Sequence, residues 1–228
     1  MTTERGLRAR KKAQQREHIA DTAAALFGRR GFDAVSMVDV ARASDVSEQT
    51  VYNYFPTKPD LVLDRADEYR EVYAHAVRER SDTQSPADAL RPLLTFAVDL
   101  YVEGDPDLAR GEFPALCVES GGLRRFALEL REQQGERLAE VLSQTNPSIP
   151  GIVARAHAAG LISVVQSVTD TIGQAIIDGR PRLDAAARMR QDAAVALDHL
   201  DQTFRSAFTV DRPASRGPGN VLRTPDAQ

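Results

Sequence analysis

The chain has 228 residues, 42% hydrophobic and 27% charged, the composition of a folded globular protein rather than a disordered one. Its single cysteine, Cys117, excludes an intramolecular disulfide framework and any cysteine-based zinc module. The net charge of −4 is unevenly spread: residues 1–60 hold ten basic against eight acidic side chains, residues 61–228 nineteen against twenty-five. Within the first sixteen residues Arg5, Arg8, Arg10, Lys11, Lys12 and Arg16 face Glu4 alone. Such a run reads as a solvated tail or as a polyanion-binding surface. Alanine is the most frequent residue and Trp is absent, a mix that favours helix. No apolar run is read as bilayer-spanning, and the charged N-terminus lacks a signal peptide's apolar core. The expectation is a soluble, cytoplasmic, mostly helical protein with no membrane partner.

In chain order, Ile19, Ala23, Leu26 and Phe27 form one apolar face of a helix from about Arg10 to Arg30. Gly31 supplies a left-handed stop. Ser36 then caps a short helix, with Asp39 at the third position and Val35 stapling to Val40. Ser44-Asp45 ends it, and Ser47 caps the next helix, Val46 stapling to Val51. Two short helices across a tight turn form a helix-turn-helix. Thr57, with Asp60 at the third position, is read as the cap of a fourth helix running to about Arg80.

The stretch Ser36 to Leu61, above all Val46-Ser47-Glu48-Gln49-Thr50-Val51-Tyr52-Asn53-Tyr54-Phe55-Pro56-Thr57-Lys58, resembles the DNA-binding domain of the tetracycline-repressor (TetR) family. Ser44 and Asp45 depart from the family's usual Ala-Gly, but Asp tolerates left-handed geometry better than most residues. The resemblance implies backbone-phosphate contacts from Ser36, Thr50, Tyr52, Tyr54 and Lys58. Outward-facing Gln49 and Asn53 suit adenine edges; Met37 and Ser47 complete the expected DNA-contact set. The alternative for Tyr52 and Tyr54 is packing within the domain.

Beyond Leu61 a larger helical body is expected. Ser85-Pro86-Ala87-Asp88 starts a helix whose buried face is read as Leu90, Leu93, Leu94, Ala97, Leu100 and Tyr101, with Pro92 kinking it. A short helix to about Glu119, a helix Leu123–Leu142, and two long helices, Val153–Ile177 and Asp184–Phe208, follow. The first of the long pair is apolar nearly all round, which calls for burial on two sides. With the stripe Ala186, Met189, Ala193, Leu197, Leu200, Phe204 and Ala207, the pair looks like the family's dimer-forming helices; a monomer with a thick core is the alternative. From Thr209 onward Pro and Gly punctuate a polar stretch read as disordered.

His18, His75, His157 and His199 show no metal-ligand spacing, and no catalytic set is visible, so neither enzyme activity nor a cofactor is expected. Phe96, Tyr101, Phe113, Cys117 and Glu119 lie on segments that enclose the ligand cavity in TetR-type proteins. Gln166 and Asp170, one turn apart, line either that pocket or the dimer interface. The fold class expected is all-α. Its parts are a basic flexible arm (1–9), a three-helix helix-turn-helix domain (10–57), a helical ligand-binding and dimerisation domain (58–208) and a disordered tail (209–228). The function expected is a homodimeric, ligand-responsive regulator, more readily a repressor. It binds a pseudo-palindromic double-stranded DNA operator and is released by a small apolar effector. A ligand-independent architectural DNA-binding protein and a helical enzyme are the alternatives.

Overall fold

Capping chemistry sets the register of the N-terminal helices. A computed structural model describes residues 2–63, 66–106 and 108–209, with side chains over 10–63, 69–106 and 108–206. Helix α1 spans Thr2–Arg30, α2 Met37–Ala43 and α3 Glu48–Tyr54. Ser36 and Asp39 form the expected capping box, and Ser47 Oγ accepts from the Thr50 amide at 3.1 Å. Each such cap contributes about 1 kcal/mol. Gly31 ends α1 at φ 78°. Between α2 and α3, Asp45 takes the left-handed position at φ 52°. The Val46 amide donates to Ala41 O at 3.0 Å and the Asp45 amide to Arg42 O at 3.4 Å. That is a Schellman closure with aspartate in the glycine place. Ile19, Ala23, Phe27, Val35, Val40, Val51 and Phe55 are buried together as the core of this head.

The body is built from α4 (Ala66–Arg78), α5 (Pro86–Glu103), α6 (Phe113–Glu119), α7 (Gly121–Thr145), α8 (Gly151–Asp178) and α9 (Arg182–Thr209). All regular structure among the described residues is helical. Its core gathers Leu90, Leu94, Val98, Leu138, Leu142, Leu161, Val165, Val168 and Leu197. Helix α8 lies at the centre, against α5, α6, α7 and α9. By length and apolarity it is sufficient to cross a membrane, unlike the sequence expectation, because its charged residues, Arg155, Asp170 and Asp178, are spread thinly over 28 positions.

Several sequence expectations shift. Helix α1 begins at Thr2 rather than near Arg10, since Arg, Lys, Ala and Gln are all good helix formers. The Thr57–Asp60 pair is formed, at 2.8 and 2.7 Å, but leads only into a 3-10 turn at Pro59–Leu61. Leu61 and Leu63 are both buried, and residues two apart point to opposite sides of an α-helix; α4 therefore starts at Ala66. On α5, which continues past Pro92, the buried line is Ala87, Leu90, Leu94, Val98 and Tyr101. Leu100 is instead 56% exposed, because the 3.6-residue repeat carries it off that line. From Ala186 to Phe204 the α9 stripe packs within its own chain, on α5 and α8, while the side chain of Ala207 lies outside the described ones. The tail expected to be disordered lies, beyond Thr209, outside the described residues.

His157, on α8, is buried and stacks on Phe204 with ring centroids 4.2 Å apart. Its Nε2 has no hydrogen-bond partner, and burial pushes its pKa down to about 4 against the opposing charge of Asp201. The unfolded chain, titrating near 6.5, binds the proton first, so folding stability drops as pH falls from about 6.5 to 4. The loss through this group is about 2–3 kcal/mol at 1.36 kcal/mol per unit. Urea denaturation at pH 7 and pH 4.5 is expected to show a smaller pH-dependent loss in His157→Phe than in wild type. Identical losses would assign the acid sensitivity elsewhere.

Candidate functional site

Helix α3 is amphipathic in a way that leaves one face free. Val51 is fully buried in the head core, while Gln49, Tyr52 and Asn53 are exposed, Tyr52 by 42%. Gln49 Nε2 donates to Asn53 Oδ1 at 3.1 Å, so the two amides are held side by side on the outer face. Ser47 Oγ also meets Thr50 Oγ1 at 2.7 Å, beside the start of the helix. Glu48 lies in the first turn, favourably for the helix dipole.

The other expected contact residues divide. Ser36 is exposed, but its hydroxyl is engaged by Asp39 at 2.7 Å, and the Ser36 groups hold the Asp39 carboxyl below its usual range. Met37 is buried, with a relative exposure of 7%, because the first turn of α2 turns it into the head core. That removes its side chain from a groove-facing role. Tyr54 packs against the head core and its hydroxyl donates to Gln15 Oε1 at 3.3 Å. Lys58 Nζ sits 4.2 Å from the Phe32 ring centroid and 3.5 Å from Asp33 O; burial lowers its pKa, with Asp33 opposing.

In the body, four of the seven residues assigned to a ligand site converge. Phe113, Cys117, Gln166 and Asp170 meet between α6, α7 and α8 around Arg124 and Arg131. The space among them is ≈ 10 Å³, room for about one water. It adjoins a cleft of ≈ 370 Å³ between α7 and α8, lined by Leu128, Arg131, Glu132, Arg155, Ile162 and Gln166. Asp170 forms a bidentate pair with Arg124, Nη2 to Oδ2 at 2.8 Å, which raises the Arg124 pKa. Arg131 donates to Thr169 Oγ1 at 2.9 Å and to Gln134 Oε1 at 3.0 Å. Gln134, 1% exposed, in turn donates to Tyr69 O at 2.6 Å. Arg131 therefore ties α8, α7 and α4 together. Burial pushes the Cys117 thiol up to about 12, so it stays protonated at neutral pH.

The remaining three do not join. Phe96 is 67% exposed on the outer side of α5. Tyr101 is buried at the far end of α5 under the Arg182 guanidinium, 5.5 Å from its ring centroid. Glu119 pairs with Arg110 on the surface at 3.4 Å. Arg124 and Arg131 belong to none of the sequence motifs above. Their seven-residue spacing beside Leu123, Ala127 and Leu130 puts both at the edge of the buried stripe of α7, which is the signal that would find them.

Head and body meet through α6 and α7. Leu116, Cys117, Leu123 and Ala127 share the head's core cluster, and Ser120 Oγ donates to Asp33 Oδ1 at 2.7 Å. A 3-10 turn at Ala109–Gly111 lies directly on α1.

Residues 19–64 match the family model described as "Bacterial regulatory proteins, tetR family". The match assigns this segment, the helix-turn-helix head, to the tetR family. The chain is 36% identical over 69 residues to the HTH-type transcriptional regulator LuxR of Vibrio harveyi, covering 30% of either chain. Across the curated relatives it matches, between 30% and 72% of their length is covered. Among solved structures, native NalD is described as the secondary repressor of the MexAB-OprM multidrug efflux pump in Pseudomonas aeruginosa. It superposes with TM-score 0.54 at 19% identity, covering 85% of this chain and 96% of that one. FadR of Bacillus subtilis in complex with stearoyl-CoA gives 0.52 at 18% identity, over 81% and 97%. At these identities the two structures speak for the fold alone.

Proposed function

We propose that the chain is a cytoplasmic, homodimeric transcriptional repressor that a small molecule releases from a pseudo-palindromic DNA operator. The observation that carries this reading is the divided α3: Val51 locked into the head, Gln49, Tyr52 and Asn53 presented outward on a helix short enough to enter a major groove. Residues 10–57 form the reading head and residues 58–208 the sensing and dimerising body. Tyr52 and Thr50 contact phosphates, which fix position; Gln49 and Asn53 read base edges. Ser36, Ser47, Tyr54 and Lys58 support the same face through caps and packing, Met37 by packing alone.

The effector site is the α7–α8 cleft, whose volume lies within the range of small-molecule pockets. Its arginines favour a ligand with an acidic or strongly polar end on an otherwise apolar body, a narrower class than a wholly apolar molecule. A ligand driven inward between Arg131 and Gln166 separates α7 from α8. Because α6 and α7 carry the head, that movement changes the spacing of the two recognition helices of a dimer. Coupling of this kind is typically about 1–3 kcal/mol, and the operator weakens effector binding by the same factor.

The test is selection of duplexes from random DNA with the full-length chain, followed by affinity measurements on the winner. Tyr52→Ala is expected to weaken binding to all duplexes by about 1 kcal/mol. Asn53→Ala is expected to relax preference at one base pair, an effect of about 1–3 kcal/mol. Failure to enrich any duplex, or two variants indistinguishable from wild type, would overturn the reading.

A further inference from the structure

The tetR-family match begins at residue 19, yet α1 begins at Thr2. At 1.5 Å per residue, roughly 25 Å of helix precedes Ile19, the first fully buried residue among the described side chains of α1. Its sequence holds six basic residues between Arg5 and Arg16 and no acidic one among them. Arg10, Lys11 and Lys12 are exposed.

This segment is poorly arranged for an isolated helix. Positive charge near a helix N-terminus opposes the macrodipole. Lys12 and Arg16 place like charges four residues apart, which repel. A helix polar all round has no apolar face to hold it. What anchors it is the end of α3: Arg16 Nη1 donates to Tyr54 O at 2.8 Å and its guanidinium lies 4.6 Å from the Phe55 ring centroid. Tyr54 donates to Gln15, and Lys12 Nζ stands 6.0 Å from the Tyr54 ring centroid. The basic stretch is thus fastened to the C-terminal end of α3, the helix that carries the outward-facing Gln49, Tyr52 and Asn53.

We propose that the N-terminal extension of α1, centred on Arg10, Lys11 and Lys12, is a second DNA-contact element that binds backbone phosphates next to the groove occupied by α3. The proposal rests on the DNA-binding reading above. Phosphates neutralise the repelling charges, so the contact is electrostatic and independent of sequence. Each phosphate neutralised contributes about 0.9 to the slope of log affinity against log salt.

The experiment measures affinity against potassium chloride concentration for a 40-base-pair duplex recovered by selection with the wild-type chain. Combining Arg10→Gln, Lys11→Gln and Lys12→Gln is expected to lower the slope by about 1–3 and to weaken binding at least tenfold near physiological salt. The base preference of the selected site should be unchanged. Because these side chains are exposed, melting temperature should be close to wild type. The charge-preserving set Arg10→Lys, Lys11→Arg and Lys12→Arg should keep the wild-type slope. A glutamine variant with wild-type slope and affinity overturns the proposal while leaving the α3 reading intact, and so does a charge-preserving set that loses the slope. Selection that enriches no duplex removes the DNA-binding reading and this proposal with it.

Discussion

Replacing Gly111 with alanine is expected to cost about 2–3 kcal/mol of stability, through overpacking where two backbones touch. A Cβ at Gly111 would stand 2.2 Å from Ala24 O and 3.2 Å from Gly28 N, both backbone atoms of α1. Gly28 is its counterpart, since a Cβ there would meet Gly111 N at 3.2 Å. No rotamer change relieves contacts with backbone, so α1 must move away from the turn at Ala109–Gly111. On the other side of α6, Gly173 of α8 approaches Pro114 O in the same manner, at 2.2 Å from its would-be Cβ. The sequence α8–α6–turn–α1 is therefore a stack of closely fitted backbones between body and head. Urea denaturation reads the effect as a lower midpoint at unchanged slope. Gly135→Ala, mid-helix in α7 with open space around it, is the matched control and should gain about 0.5–1 kcal/mol. Equal behaviour of the two variants would show that the head does not rest on Gly111.

Glutamate at position 197 and glutamate at position 195 should fail in different ways. Leu197 is 1% exposed within a single chain, packed among α5, α8 and α9. Leu197→Glu buries a carboxylate in an apolar core and is expected to cost more than about 4 kcal/mol, leaving a chain largely unfolded at 25 °C. Val195 is 64% exposed on the opposite side of α9. Asp192 and Ala196, three residues and one residue away from Val195 on α9, border the α8–α9 groove together with the exposed Ser163, Ser167 and Thr171 of α8. In the proposed homodimer this face is the interface, so Val195→Glu should keep the circular dichroism spectrum of the wild type but sediment as a monomer. A folded Leu197→Glu dimer, or a Val195→Glu dimer as tight as wild type, would refute this division of the helix.

Local chemistry was legible from the sequence wherever a few adjacent residues decide the backbone. The Ser36–Asp39 capping box, the Ser47 cap, the left-handed Asp45 and Gly31, and the burial of Val51 and Phe55 all follow from contacts within a turn or two. The outward face of α3 follows with them, because a seven-residue helix with a buried Val51 has little choice about where Tyr52 and Asn53 point. Assignments that depend on distant helices were another matter. Phe96 and Tyr101 sit on one helix five residues apart, and only the packing of α9 and the rotation of α5 decide that one is exposed and the other buried. Asp170 reads equally as a pocket or an interface residue, and nothing near it in sequence announces the Arg124 that α7 brings against it. The apolar stripe of α9 was plain in the sequence, but whether it meets its own chain or a second copy is a question about which surfaces are already covered. Hydrophobic periodicity states that a face must be buried, and only the tertiary arrangement supplies the partner that buries it.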